Sequence, residues 1–267
     1  MGYGIFYEHL AGEAHRRGCS VVEMLNAAAA MGVDKVTLSD GNLPKALPHL
    51  EQTECKVNTV YCVCGLIHGE DIEKLRNAAQ GAAQAGAQVL MAVPGFYREG
   101  QIFAQALQAA VPLLREAVRF CGDLGLDCAI ENFGSYKTPY SLVPQIKEML
   151  LSVEGLKFVY DTGNSLYHRQ DPLLLWEETA DRLAGIHIKD LSLTPIPGGK
   201  PLISPLGEAL YPTAFGGGDL PSAALRERMK AANLPKERIT FEHDGNGDPD
   251  TLQFLRNSLE FFHGSDE

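Results

Sequence analysis

Several things are missing from this 267-residue sequence. It has no run of roughly 18 or more apolar residues, so no segment reads as a transmembrane helix. Its beginning, Met1-Gly2-Tyr3-Gly4-Ile5-Phe6-Tyr7-Glu8-His9, has no basic start leading into an apolar stretch, so no secretory signal is expected there. Positive charge is scarce. Lys and Arg number 23 against 34 Asp and Glu, a formal net charge of −11, which argues against a general nucleic-acid binder because phosphate contact draws on excess Lys and Arg. The six cysteines (19, 55, 62, 64, 121, 128) contain no CxxC pair. Scattered thiols of this kind fit reduced, buried residues of a cytoplasmic protein. Cys62 and Cys64 alternate on a strand-like run and read as core packing, as does the single tryptophan, Trp176, within a helical segment.

What is present is an alternation that runs the length of the chain. Strand-like runs fall at about 4–10, 35–40, 56–64, 88–94, 126–132, 156–161, 184–190 and 238–243. Val89-Leu90-Met91-Ala92-Val93 and Phe158-Val159-Tyr160 suit strands buried on both faces. Apolar residues at helical spacing fill the segments between, such as 20–31, 71–85, 101–124, 141–151 and 171–182. Gly32, Gly86, Gly125 and Gly155 follow four of these segments, where a helix C-cap wants a left-handed residue. Alternating β and α implies a parallel sheet with right-handed crossovers. Eight such units in one chain of this length favour an α/β fold, a single (β/α)₈ barrel spanning 1–267, since such barrels take about 250 residues. An open doubly wound sheet that bound nucleotide would more often carry a glycine-rich turn after its first strand, and Tyr7-Glu8-His9-Leu10 stands there instead. The one irregular stretch, Ser192–Gly218, is rich in Pro and Gly and is expected to be a mobile cover over the barrel mouth.

Four polar residues occupy equivalent places, at or just after the C-terminal half of a strand: Glu131, Asp161, His187 and Glu242. Each follows an apolar run, and burying one unpaired would cost several kcal/mol. Taken singly, Asp161 also reads as a helix N-cap and His187 as a hydrogen-bonded core residue. Glu131 and Glu242 resist that reading, because Glu is a poor strand former and is rarely buried unpaired. On four consecutive strands of a closed barrel the four converge on one opening. Three carboxylates and an imidazole suit one divalent ion, Mn²⁺ or Mg²⁺ first, then Co²⁺ or Zn²⁺.

Ile130-Glu131-Asn132, Tyr160-Asp161-Thr162-Gly163-Asn164, His187-Ile188-Lys189-Asp190, Gly216-Gly217-Gly218-Asp219-Leu220 and Phe241-Glu242 together resemble the xylose isomerase-like TIM-barrel superfamily, the sugar phosphate isomerase/epimerase family. Asp248-Pro249-Asp250-Thr251-Leu252 and Asn257-Ser258-Leu259-Glu260-Phe261 resemble its last helix. The resemblance implies a metal-dependent isomerase or epimerase of a small sugar or polyhydroxylated carbonyl compound. Glu131 and Glu242 would exchange a proton through an enediolate, with Asp161 and His187 completing the metal ligands. It leaves open a dehydratase of a cyclic polyol or keto-sugar on the same site, and a sugar-binding barrel without turnover. Self-association is also left open.

Two departures bear on the substrate. Where the epimerases carry a histidine three residues past the metal-binding Asp, this chain has Asn164, with His168 a turn further on. Where they carry an Arg soon after the strand-7 His, it has Lys189, which shares a strand face with His187. Asn164, His168 and Lys189 are therefore the expected substrate contacts. Asn164, Val93 and the acidic charge also count against the endonuclease IV branch, whose metal cluster uses further histidines. The Gly216-Gly217-Gly218 run reads either as a backbone phosphate cradle or as a flexible joint, and Asp219 disfavours an anion there.

Overall fold

The computed structural model describes residues 2–134, 137–243 and 250–264. Seven parallel strands come first: β1 (Tyr3–Phe6), β2 (Val33–Ser39), β3 (Lys56–Val63), β4 (Val89–Val93), β5 (Asp127–Glu131), β6 (Lys157–Asp161) and β7 (Leu183–Ile188). Three short strands follow, β8 (Asp190–Ser192), β9 (Leu202–Ile203) and β10 (Ala209–Thr213), before β11 (Ile239–Phe241). The strand order β1-β11-β7-β6-β5-β4-β3-β2 closes the barrel. Parallel strands need long crossovers, and these carry α1 (Tyr7–Arg17), α2 (Val21–Ala29), α3 (Leu43–Leu50), α4 (Ile72–Gln84), α5 (Phe103–Asp123), α6 (Val143–Ser152), α7 (Pro172–Thr179) and α8 (Ser222–Ala231), with α9 (Thr251–His263) following the last strand. The expected (β/α)₈ fold is therefore the one observed.

All five residues of β4 are buried, as a strand covered by helices outside and packed side chains inside requires. Gly32, Gly86, Gly125 and Gly155 have φ of +82°, +75°, +74° and +79°, the left-handed values that end helices. Cys62 and Cys64 are buried, and Trp176 packs edge-on against Tyr160 with centroids 5.1 Å apart. A polar layer lies inside the barrel, where Thr37 Oγ1 meets Thr240 Oγ1 at 3.0 Å and donates to Asn58 Oδ1 at 3.1 Å. Gly4 lets this layer close, since a Cβ there would stand 2.6 Å from Thr240 Oγ1.

Three expectations need correction. The first strand stops at Phe6, not near residue 10, and α1 starts at Tyr7 with no loop between. Tyr7, Leu10 and Ala14 recur at helical spacing and bury one face, which outweighs the β-prone Tyr-Gly-Ile-Phe-Tyr run. The strand expected over 184–190 ends at Ile188, because the chain leaves the barrel at Lys189 and pairs again as β8. The stretch Ser192–Gly218 is not irregular throughout. It carries an antiparallel sheet of order β8-β10-β9, sealed by a small core of Tyr167, Leu191 and Leu210. Asp248 and Pro249, read as leading into the last helix, lie outside the described residues; α9 itself begins at Thr251, capped by the Asp250 carboxylate.

α1 is tied to α9 through a buried carboxylate. Glu13 accepts from Arg17 Nε at 2.5 Å, from Arg16 Nη2 at 2.5 Å and from Thr251 Oγ1 at 3.4 Å. Burial alone would raise its pKa, but the two guanidinium partners hold it below the ordinary glutamate value.

Candidate metal centre

Parallel strands all finish at one end of the barrel, so the residues that terminate them surround a common opening. Glu131 is the last residue of β5 and Asp161 the last of β6; Asp161 is the ladder partner of His187 on β7. Glu242 directly follows β11, held by its N–H to Ile188 O at 2.9 Å. One donor atom from each of the four lies within 4.8 Å of all the others. The sequence-predicted ligand set is thus brought together. Glu131, Asp161 and His187 are buried, and the Glu242 side chain is 13% exposed.

The His187 ring sits between two carboxylates. Its Nδ1 is hydrogen-bonded to Glu131 Oε1 and lies 3.5 Å from Glu242 Oε2. Lys189 brings the nearest lysine charge. Its Nζ is 2.5 Å from Glu242 Oε1, 3.6 Å from Asp161 Oδ2, and donates to Asn164 Oδ1 at 3.2 Å. Burial pushes Asp161 well above the usual carboxylate range and raises Glu131. Burial also pushes Glu242 upward, but Lys189 first and then His187 and His9 outweigh it and hold that carboxyl at about 2.

The donor set fits a divalent cation. Asp161 Oδ1 accepts the N–H groups of Gly163 at 2.8 Å and Asn164 at 2.6 Å, whereas its buried Oδ2 has no hydrogen-bond partner among the described residues. A buried carboxylate oxygen without a donor is costly, and a metal ion there would satisfy it.

A supporting shell holds these groups. Asn132 Oδ1 accepts the Asp161 N–H and its Nδ2 donates to the Asp161 carbonyl, both at 2.8 Å, so the end of β5 is fastened to β6. Thr162 Oγ1 accepts the Lys189 N–H at 2.8 Å and donates to the Lys189 carbonyl at 2.5 Å, fixing the residue where the chain leaves the barrel. Gly163 makes room for the lysine stem, since a Cβ there would come 2.7 Å from Lys189 Cγ. Among the residues expected to touch substrate, Lys189 stands in the centre and Asn164 beside it, buried, with its Nδ2 given to Asn132 O at 2.9 Å. His168 ends the 3-10 turn Asn164–His168, half-buried and outside the four-residue cluster.

The opposite side of the mouth went unnoticed in the sequence. Phe6 sets its ring edge-on to His187 at 5.0 Å, stacks on His9 at 5.2 Å and lies 6.0 Å from Tyr61. Behind it, Glu8 Oε1 accepts from Ser39 N and Asn42 Nδ2 at 2.9 Å each, and from Tyr61 Oη at 3.4 Å. A correct end for β1 was the signal that would have placed Glu8 and His9 at the mouth.

The glycine run wraps a carboxylate. Asp190 Oδ2 accepts from Gly216 N at 2.9 Å, Gly218 N at 3.3 Å and Ser222 Oγ at 2.8 Å. A Cβ on Gly218 would stand 2.1 Å from Asp190 Oδ1, so glycine is needed for the wrap. Two of the N–H groups that a phosphate cradle would use are already taken. Asp219 pins the start of the 192–218 stretch by accepting from Leu193 N at 2.6 Å. A groove of about 860 Å³ among Arg226, Arg256, Phe261 and His263 holds no comparable ligand cluster among the described residues.

The model of the xylose isomerase-like TIM barrel family matches residues 13–261. No curated protein matches the chain. Among solved structures it is similar to the probable 3-DHS dehydratase AsbF, involved in petrobactin synthesis, from Bacillus anthracis, at 13% identity and TM-score 0.73 over 100% of both chains. It is similar to the D-allulose 3-epimerase from Methylomonas sp. in complex with D-allulose, at 14% identity and TM-score 0.72 over 98% of this chain and 96% of that one. It is also similar to the IOLI protein with a binding zinc atom, at 15% identity and TM-score 0.70 over 88% of each. Likenesses at this identity speak to the fold. With the family match covering nearly the whole barrel, the chain belongs to the xylose isomerase-like TIM barrel family.

Proposed function

We propose that the protein is a divalent-metal-dependent isomerase or epimerase of a small sugar or other polyhydroxylated carbonyl compound. The observation that carries this is the pair of carboxylates on either side of His187, Glu131 and Glu242, within one cluster with Asp161. Glu131, Asp161, His187 and Glu242 would hold one ion, Mn²⁺ by the hardness of the set, and the ion would act as a Lewis acid on a carbonyl and a neighbouring hydroxyl. Glu131 and Glu242, on either side of His187, are placed for one to take a proton from the carbon next to the carbonyl and the other to return one to the opposite face. Asn132 and Thr162 keep Asp161 and Lys189 in place while this happens. The similar D-allulose 3-epimerase, seen with its sugar, supports the substrate class.

Lys189 favours a second reading. An ammonium 2.5 Å from the basic carboxylate could protonate a departing β-hydroxyl, which would make the enzyme a dehydratase, as the likeness to AsbF also allows. A barrel that binds sugar without turnover has less support, because binding alone does not need three converging carboxylates.

The test uses the Mn²⁺-loaded protein in deuterated water with a panel of ketoses. The native enzyme should place deuterium at the carbon α to the carbonyl. Glu242→Gln, which keeps an oxygen for the ion and removes the base, should lower turnover by about 10²–10⁴-fold. Loss of water with appearance of an unsaturated carbonyl would select the dehydratase. Turnover with complete retention of the substrate hydrogen would overturn the proton-transfer mechanism.

A further inference from the structure

The side of the mouth facing the metal cluster has its own chemistry. Thr37 faces the barrel interior, since its hydroxyl meets Thr240 and Asn58 across it. Ser39, two residues further along β2, shares that face, and Tyr61 is its ladder partner on β3. The phenol therefore points into the mouth, in the sector flanked by Phe6. Burial first, and then the charges of Glu8 and Glu242, raise its pKa and keep it a neutral donor.

Glu8 stands next to that phenol with one oxygen saturated and one not. Oε1 takes three donors, from Ser39, Asn42 and Tyr61. Oε2 is shielded from solvent and has no hydrogen-bond partner among the described residues. A carboxylate oxygen in that position calls for an O–H or N–H. It repels a phosphate, which brings a charge of about −1.5 to −2 and mostly acceptor oxygens. Three described groups that could compensate a phosphate are engaged elsewhere. Gly216 and Gly218 give their N–H groups to Asp190, and Lys189 is held by Glu242 and Asn164.

We propose that Glu8 and Tyr61 form a hydroxyl-binding subsite, and that it selects an unphosphorylated sugar or polyol because Glu8 Oε2 and the Tyr61 oxygen accept from hydroxyls remote from the metal cluster. This rests on the sugar reading above and deepens it by setting the substrate class. Glu8 is thus a specificity-determining residue, placed by the abrupt passage from β1 into α1.

The experiment is calorimetric titration of the Mn²⁺-loaded full chain with ketopentoses and ketohexoses and with their terminal phosphate esters. The native protein should bind at least one free sugar ten times or more tighter than its ester. Glu8→Gln, which removes the charge and adds an N–H donor, should reduce that preference at least tenfold. Tyr61→Phe should weaken free sugars several-fold and leave the esters unchanged; it decides the matter if Glu8→Gln does not fold. Esters that bind as tightly as free sugars, or a preference unmoved by both substitutions, would overturn the subsite while leaving the sugar reading intact. If neither class binds to protein that has taken up Mn²⁺, the sugar reading fails and the subsite falls with it.

Discussion

Two halves of one barrel mouth differ in how their chemistry is positioned. On the β5, β6, β7 and β11 side, Glu131, Asp161 and His187 stand at or near a strand end, fixed by the ladders they belong to, and Glu242 directly follows β11, fixed by its N–H to Ile188 O. On the β1, β2 and β3 side, Glu8 comes from the first turn of a helix, Asn42 from a loop and Tyr61 from within a strand. The first half concentrates negative charge around an imidazole, a cluster that could hold an ion. The second disperses one carboxylate, one phenol and one amide behind the Phe6 ring, which suits hydroxyl groups. On the function proposed above, one half would hold the reacting carbons and the other would decide which molecule brings them.

The largest expected effect removes the metal half alone. His187→Ala deletes the nitrogen donor from between Glu131 and Glu242, and leaves the three carboxylates with fewer contacts to fix their geometry. Mn²⁺ affinity should fall at least 100-fold, read by elemental analysis after equilibrium dialysis. Unchanged metal content in that variant would dissolve the distinction between the halves.

How much of this was legible beforehand follows from the same contrast. Ile130-Glu131, Tyr160-Asp161 and Phe241-Glu242 each set a carboxylate after an apolar strand run, a local contradiction that a reader of sequence can see without coordinates. Glu8 shows no such contradiction, because it lies in a run where strand and helix are continuous and both apolar, and where the helical face Tyr7, Leu10, Ala14 is easily taken for an extension of the strand. Asn164 and Lys189 were visible as residues but not as a pair, since the bond between them joins positions 25 apart in the chain. The sheet β8-β10-β9 was hidden by Pro212 and by turn-forming glycines, while its stability comes from Tyr167, a residue of a different unit.

A smaller effect sharpens the comparison by changing the charge of the metal half without touching a ligand. Lys189→Met keeps the stem that packs over Gly163 and removes the ammonium beside Glu242 and Asp161. Lys189 is the largest of the influences that lower the Glu242 pKa to about 2, so that pKa should rise in the variant. Protons then compete with Mn²⁺ at higher pH than in the native protein. Around pH 5, Mn²⁺ binding by the variant should weaken by about tenfold relative to its own value at pH 7.5, a steeper fall than in the native chain. Identical pH profiles would mean that Lys189 does not govern that carboxylate.

The smallest effect on the site comes from loosening the other half at a distance. Glu13 lies one and a half turns beyond Glu8 on α1, and its carboxylate joins Arg16, Arg17 and Thr251 at the seam with α9. Glu13→Gln keeps the shape and removes the charge, so stability should drop by about 1–3 kcal/mol, the usual worth of hydrogen bonds to a charged group that is then left poorly paired. The folded-state pKa of Glu13 is depressed below its unfolded value, so its contribution is fully present above the unfolded value near pH 4.5. It is lost as pH falls through that value towards the lower folded one. Denaturation by urea at pH 7 should separate native and variant clearly, and the gap should narrow as the pH is taken below about 4.5. Mn²⁺ stoichiometry should stay the same, because none of the four cluster residues lies on α1 or α9. A variant that lost metal together with stability would show that the two halves are mechanically one, and that α1 positions the cluster as well as the hydroxyl-binding side.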